Sequence, residues 1–403
     1  MEMYLQLGSG MMQMSRDLVE EWGGGTVILS PRDLEPKQLT TLATDINDLP
    51  SGQVLLDPQF YLPNSAHKRL VSHAYWPDDY ESGGFWGGPH LRGLLAGVLD
   101  LNSELKTSAV ILPALYADKI DDDWLERQGA LIAEARRMDA GARFYATLPL
   151  SADVLRSDEA VHEVLEAFGA WSVDGAYVVC EHPNGDYLVK DPLWISNVVD
   201  LAAGIKLKGR TVVLGYASHQ LLIAAIASAD AIASGTWMNV RSFQTEKFEG
   251  IYDDERKTPT DWFYAPRVLS EYKEGALDTA YKLGLMEHMT IPPELACSYV
   301  DGLLSGLQPS AVGLDQSSAF KHYLACLHSQ VALARGNSFA ETVELHAAML
   351  DDVERRLTEL HAKRIRGLNR DFKDIVDPHR QALSIVESVR GPLLERAWRT
   401  LAR

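Results

Sequence analysis

Eight short apolar runs punctuate the first 240 residues, and the stretches between them carry apolar residues at helical spacing. The runs are Tyr4 to Ser9, Thr26 to Pro31, Gln53 to Pro58, Ser108 to Tyr116, Arg143 to Leu150, Gly175 to His182, Thr211 to Ser218 and Asp230 to Gly235. Nearly every position in them is β-branched or apolar, the pattern of parallel strands covered on both faces. Intervening segments such as DDWLERQGALIAEARRMDAG and SDEAVHEVLEAFGAWSVDG read as amphipathic helices. Eight β/α units in about 240 residues predict an α/β protein built as a (β/α)8 TIM barrel. A doubly wound open sheet competes, but no GxGxxG follows the first strand.

Past about residue 260 the strand pattern ends. Two long amphipathic patterns follow, AETVELHAAMLDDVERRLTELHAKRIRGLNRDF and DPHRQALSIVESVRGPLLERAWRTLAR, with Pro378 marking the break. The expected organisation is a barrel over residues 1–260 and an α-helical C-terminal domain over 261–403. Insertions are expected at about 63–105 after the third strand and at Phe243 to about Pro259 after the eighth. Loops of that length in a compact domain usually serve function or move.

Composition narrows the classes. The 403 residues are 46% hydrophobic and 23% charged, enough to bury a large core. The N-terminus lacks a basic segment followed by a long apolar one, and no stretch approaches the roughly 18 apolar residues of a membrane span. A cytoplasmic location and no membrane partner are expected. Cys180, Cys297 and Cys326 are far apart in sequence with no CxxC, so neither a disulfide framework nor a metal site is expected, and no cofactor. The net charge of −18 argues against a polyanionic partner, yet residues 355–403 hold 12 Lys/Arg against 6 Asp/Glu, a local +6 that leaves −24 elsewhere.

Chemistry in such a barrel sits at the C-terminal ends of the strands. Asp57 and Glu181 come directly off apolar runs, where a carboxylate costs desolvation energy unless it is paired or used. Asp57 before Pro58 also fits a turn residue, and Glu181-His182 a solvated loop start. ESGGFWGG fits a flexible loop, Trp237 a packing aromatic, and the basic tail a solvated helix face. Signatures of esterases (GxSxG), zinc proteases (HExxH) and P-loops are absent.

LGYASHQLLIAAIASADAIASGTW, from Leu214 to Trp237, resembles the end of the barrel in tRNA-guanine transglycosylases, whose last strand ends D-L/M-F-D-S/C. DGAYVVCEH at Asp174 is similar to that family's sixth strand, and VLLDPQFY at Val54 to its ILTDSGGFQ, which delivers the first essential Asp. The resemblance spans roughly residues 1–245. It places Asp57 on the first Asp, Glu181 near the substrate-binding Glu, and Asp230, Ile232 and Ser234 on D, F and S. Ala233 stands where the family has its nucleophilic Asp, and the family's CxCxxC…H zinc motif is absent.

The resemblance, with its departures, implies hydrolysis in place of base exchange, because alanine cannot form the covalent bond to the sugar. The implied activity is a DNA glycosylase that flips a modified base out of DNA and leaves an abasic site, as in the family's phage-defence relatives. DNA is the preferred partner, RNA the other. Asp57 and Glu181 are the expected catalytic residues. Gln59, Tyr61, His182, Tyr216, His219, Ser234, Trp237 and Asn239 are expected to hold the substrate, with Trp76, Phe85 and Trp86 further stacking aromatics. Arg241, Lys363, Arg364, Arg366 and Arg370 are expected on the nucleic-acid backbone. Base exchange on tRNA or DNA, a silent nucleic-acid-binding barrel, and a barrel enzyme acting on a small sugar or nucleoside are the competing readings.

Overall fold

The computed structural model describes residues 1–81, 83–250, 261–295 and 297–401. Eight parallel strands form a barrel: β1 Glu2–Gln6, β2 Gly25–Leu29, β3 Gly52–Leu56, β4 Val110–Ile111, β5 Phe144–Leu150, β6 Gly175–Cys180, β7 Thr211–Gly215 and β8 Ala231–Ser234. Their order is β3-β2-β1-β8-β7-β6-β5-β4. The first and last strands of the unit therefore pair, β1 with β8. Between β3 and β4 a Ser108 N–H to Val54 carbonyl bond of 3.0 Å nearly closes the ring.

The crossover helices start where the sequence supplies caps. Asp121, Ser157 and Asp191 side chains each accept from the first-turn N–H groups of the helices Asp122–Met138, Asp158–Ala170 and Pro192–Leu207, satisfying donors the helix itself cannot. Pro192–Leu207 is buried along almost its whole length, including Trp194, because the final helix Val376–Leu401 lies over it. Arg390 clamps the pair through Asp200 at 2.5 Å. The seventh crossover is a 3-10 run, His219–Ala227.

Three expectations change. Residues 89–105 are not insertion but the barrel's own third crossover helix, Pro89–Leu105. The strand pattern does not end at 260: β9 Phe263–Ala265 and β10 Ser270–Tyr272 form a small antiparallel pair, too short to show a period in sequence. Pro378 does not separate the two long helices. It lies in the first turn of Val376–Leu401, where a missing N–H costs nothing. The break after helix Phe339–Ala362 is made by Arg364 and Leu368, both at positive φ. The second insertion is described only to Gly250, so the rest of it lies outside the described residues.

Strand register fixes which side chains face the barrel interior, since paired residues in parallel strands share a face and alternate along each strand. Gln6 pairs with Ile28 and Ile28 with Leu55. Two residues beyond Leu55, Asp57 therefore points inward. Tyr177 and Val213 share that interior, and through Val213 so do Ala231 and Ala233.

Candidate active site

Asp57 is fully buried at the C-terminal end of the barrel. Its Oδ2 accepts from the phenols of Tyr61 at 2.7 Å and Tyr216 at 2.9 Å, with the Tyr177 hydroxyl at 3.2 Å, and its Oδ1 accepts from the Gln59 N–H at 2.9 Å. Tyr177 has one proton and a nearer acceptor, Gln6 Oε1 at 2.9 Å. Gln59 braces the group through Nε2 to Tyr216 at 2.9 Å, and its Oε1 accepts the Arg32 N–H at 2.8 Å. Burial pushes the Asp57 carboxyl up to about 6, although hydrogen bonds from Tyr61, Gln59, Tyr216 and Tyr177 oppose it.

Special backbone supports this cluster. Gln59 and Tyr216 both sit at positive φ, 54° and 51°, a conformation uncommon for non-glycine residues that their hydrogen bonds over-determine. Gly215, inward on β7, makes room for the Tyr177 ring, since a Cβ there would lie 2.5 Å from the phenol oxygen. Gly235 is required for a different reason: its Cβ would meet the Gln6 carbonyl at 2.4 Å. Gly235, just past the end of β8, thus lets β1 and the following turn approach.

Glu181 follows β6 and is half-buried. Its Oε2 accepts from Tyr116 at 2.6 Å and from the Ala152 N–H at 3.1 Å. Phe243 bridges the two carboxylates, its ring centroid 5.1 Å from Tyr61, 5.4 Å from Tyr216 and 6.4 Å from Tyr116. Phe248 covers Tyr61 and Tyr216 beside it, at 5.1 and 6.2 Å. The segment carrying both is tied down by Arg32 Nε to the Lys247 carbonyl at 2.7 Å, Gln244 to the Gly185 carbonyl at 2.8 Å, and Ser65 to the Phe248 carbonyl. Gln6 Nε2 is buried without a hydrogen-bond partner, an unspent donor that costs about 1–3 kcal/mol until something accepts from it.

Asp57, Gln59, Tyr61 and Tyr216 are therefore brought together, with Glu181 across Phe243. Other expected substrate residues are placed elsewhere. Ser234 pairs with Leu5, outside the interior register, and faces Tyr323 of the C-terminal region. His182 is held by the Asp186 carbonyl at 2.9 Å, edge-on to Trp194, and burial pushes its pKa down to about 4. His219 lies among Tyr187, Tyr264, Tyr323 and Phe372, with its pKa likewise lowered to about 4 by burial. Trp237 donates to the Ser9 carbonyl at 3.1 Å and packs edge-on against Phe320, while Asn239 is half-buried in the next turn. Trp76, Phe85 and Trp86 belong to a buried aromatic cluster around Phe60, which gives the expected flexible loop a packed interior. Asp230 works at the opposite end of β8, paired with Lys206 at 2.8 Å and accepting from the Val212 N–H.

The basic residues divide. Arg241 is buried, with Nε on the Gly235 carbonyl at 2.7 Å, Nη1 3.3 Å from Glu271, and its guanidinium 3.4 Å from the Tyr323 ring centroid. Arg370 reaches the same carboxylate at 2.5 Å. Both guanidiniums are turned inward, which leaves no phosphate role for Arg241. Lys363, Arg364 and Arg366 are exposed in the turn after helix Phe339–Ala362. The cysteines also depart from expectation: Cys297 and Cys326 converge on His322.

Gln6, Tyr177, Phe243 and Phe248 complete the site; of these the sequence pattern marks only Gln6, as a polar residue at a strand end. Tyr177 is mid-strand, where tyrosine is an ordinary β-former. Tyr61 makes the shortest bond to Asp57, so Tyr61→Phe is expected to raise the carboxyl further and move the acid limb of a pH–rate profile alkaline by about half to one unit. A limb that stays put would show that Asp57 does not govern it.

No family model matches the chain, and no curated protein does. Solved structures similar to it include a phosphoenolpyruvate phosphomutase from Streptomyces platensis subsp. rosaceus (13% identity, 58% of this chain and 76% of that one, TM-score 0.35). A glucosidase from Croceicoccus marinus follows at 12% identity, covering 55% and 56%, TM-score 0.34. A monomeric dihydrodipicolinate synthase variant matches at 10%, covering 78% and 98%, TM-score 0.35. At these scores the likenesses carry no argument, and the barrel rests on its strand order. Among the described residues no helix is long and apolar enough to cross a membrane.

Proposed function

We propose that the protein is an N-glycosidase acting on DNA, with Asp57 as the catalytic carboxylate. The observation that carries the reading is an inward-facing, fully buried carboxyl at the C-terminal end of a barrel strand, raised to about 6 and held by the phenols of Tyr61 and Tyr216. A group with that pKa is mostly ionised at pH 7 and basic enough to accept a proton. In the reaction the C1′–N bond breaks as water oxygen bonds to C1′; Asp57 takes the water proton and returns it to the departing base, so that one water supplies both the sugar hydroxyl and the base proton and the carboxylate is restored. The carboxylate also stabilises positive charge developing at C1′. Ala233, inward on β8, offers no competing nucleophile, which favours hydrolysis over exchange.

A base reaches Asp57 only when Phe243 and Phe248 swing away, and these rings then become stacking surfaces for it. Gln6 Nε2 and Gln59 supply polar contacts, and Glu181 with Tyr116 serves the sugar or a second proton transfer. Lys363, Arg364 and Arg366 are exposed cations that phosphates can reach.

The test is mass spectrometry of DNA, unmodified and bearing modified pyrimidines, after incubation with the protein and labelled free base. Release of base with abasic sites and no label incorporation is expected. Label in the DNA would establish exchange, and intact DNA in every case would remove the glycosidase reading.

A further inference from the structure

Outside the Asp57 cluster, three soft ligand atoms meet in the C-terminal region. His322 and Cys326 are one helical turn apart on Gln316–Leu333, a spacing that puts both on one face. Cys297 approaches from the preceding loop. The Cys297 Sγ lies 3.1 Å and the Cys326 Sγ 3.5 Å from His322 Nδ1, and all three atoms fall within 4.8 Å of one another. A tetrahedral zinc ion with bonds of about 2.3 Å to sulfur and 2.0 Å to nitrogen holds neighbouring ligand atoms about 3.5–3.8 Å apart. The two sulfur–nitrogen distances need at most about 0.4 Å of adjustment to reach that spacing, and the two sulfurs lie no more than 4.8 Å apart.

The imidazole is also oriented for the task. His322 Nε2 is 2.6 Å from the Tyr264 carbonyl, which can only accept, so Nε2 carries the proton and donates. Nδ1 is then left with its lone pair aimed at the two sulfurs. A metal-bound histidine has this arrangement, in which a carbonyl fixes the tautomer from behind. The Phe263 ring stacks on the imidazole at 5.0 Å and holds its plane.

We propose that Cys297, His322 and Cys326 bind one zinc-class divalent ion, with a solvent oxygen as fourth ligand beside half-buried Cys297. Two thiolates and an imidazole select zinc over magnesium or calcium, which prefer oxygen. Binding releases the thiol protons to solvent, so affinity rises with pH. The ion would tie the loop through Cys297 to helix Gln316–Leu333. That assembly leans on the first barrel helix through Lys321 to Asp17 at 2.9 Å and Tyr299 to Glu21, and on the end of β8 through Phe320 and Trp237. The site differs from a CxCxxC…H motif, with one ligand from the loop and two from a single helix, and it does not depend on the glycosidase reading.

The experiment is elemental analysis of the full-length protein purified without chelator, followed by stripping and titration with cobalt(II) alone. About one zinc per chain is expected, with a thiolate-to-cobalt charge-transfer band that saturates near one equivalent. Cys297→Ala and Cys326→Ala should each lower bound metal at least tenfold. If either variant fails to fold, the stripped native protein still decides, because restored metal should raise its melting temperature. Trace metal with no charge-transfer band, or a Cys297–Cys326 disulfide found by mass under non-reducing conditions, would overturn the proposal.

Discussion

Replacing Asp57 by asparagine is expected to cut base release by about 10²–10⁴-fold, the range for a lost general acid or base, while making the protein more stable at pH 7. The stability half follows from linkage. The folded-state carboxyl titrates at about 6, against about 3.9 in an unfolded chain. The folded state therefore binds the extra proton between those values, and stability falls as pH rises through that window. At pH 7 the ionised carboxylate costs up to about 3 kcal/mol, less whatever local relaxation recovers. Asparagine removes the charge and keeps one oxygen for the phenols, while its NH2 takes the place of the oxygen that accepts from the Gln59 N–H, a loss that offsets part of the gain. Its advantage should be about 1–3 kcal/mol at pH 7 and disappear near pH 4, where the native carboxyl is protonated in the folded state. Melting temperatures of both proteins from pH 4 to 8, beside activity on the same preparations, check this. Activity retained, or a variant less stable than the native protein across the whole range, would make Asp57 a structural residue. Stability gained as function is lost is the signature of a site that holds a group at energetic cost.

What the chain reveals in advance depends on whether a property is local. The barrel is legible because eight runs of parallel-strand pattern must each bury both faces, and the order of strands follows from their number. Asp57, Gln59 and Tyr61 are legible for the same reason: they leave β3 within five residues, and the end of a parallel strand is where side chains reach the mouth. Tyr177 is not, because its role depends on Gly215 of the next strand being small enough to admit its ring. Ser234 departs from expectation by one position, since only the pairing of β8 with β1 shows that Ala233 faces inward and Ser234 does not. Arg241 departs because a charge count carries no direction. Cys297 and Cys326 look scattered because 29 residues separate them in sequence, and a loop closes that distance only once helix Gln316–Leu333 has packed.

The buried charge cluster gives the second large effect. Glu271 on β10 is inaccessible and pairs with both Arg241, also inaccessible, and the more exposed Arg370, so the trio keeps one net positive charge. Burial alone would push the Glu271 carboxyl up, but the charges of Arg370 and Arg241 outweigh it and hold the carboxyl below its ordinary range. Glu271→Gln leaves Arg241 buried beside a neutral amide, and removing one partner of a buried pair costs about 3–5 kcal/mol. Because the folded-state pKa is depressed, the contribution is present above the unfolded value of about 4.3 and is lost as pH falls below it. The penalty of the variant should therefore be largest at neutral pH and shrink toward pH 3, as read from denaturant midpoints. The cluster joins loops after β6, β7 and β8 to the C-terminal region through Tyr187, His219, Arg241 and Tyr323, so the same variant should loosen the docking of that region on the barrel. Proteolysis should report this as earlier cleavage. Lys363, Arg364 and Arg366 give the contrasting case, since replacing the three by alanine should leave stability within about 0.5 kcal/mol each. DNA binding would weaken, and the salt dependence of affinity would flatten by up to about one unit of slope for each cation removed from a phosphate. If instead Glu271→Gln changes only the salt dependence and leaves stability intact, Arg241 belongs to the nucleic-acid interface and the inward-facing assignment fails.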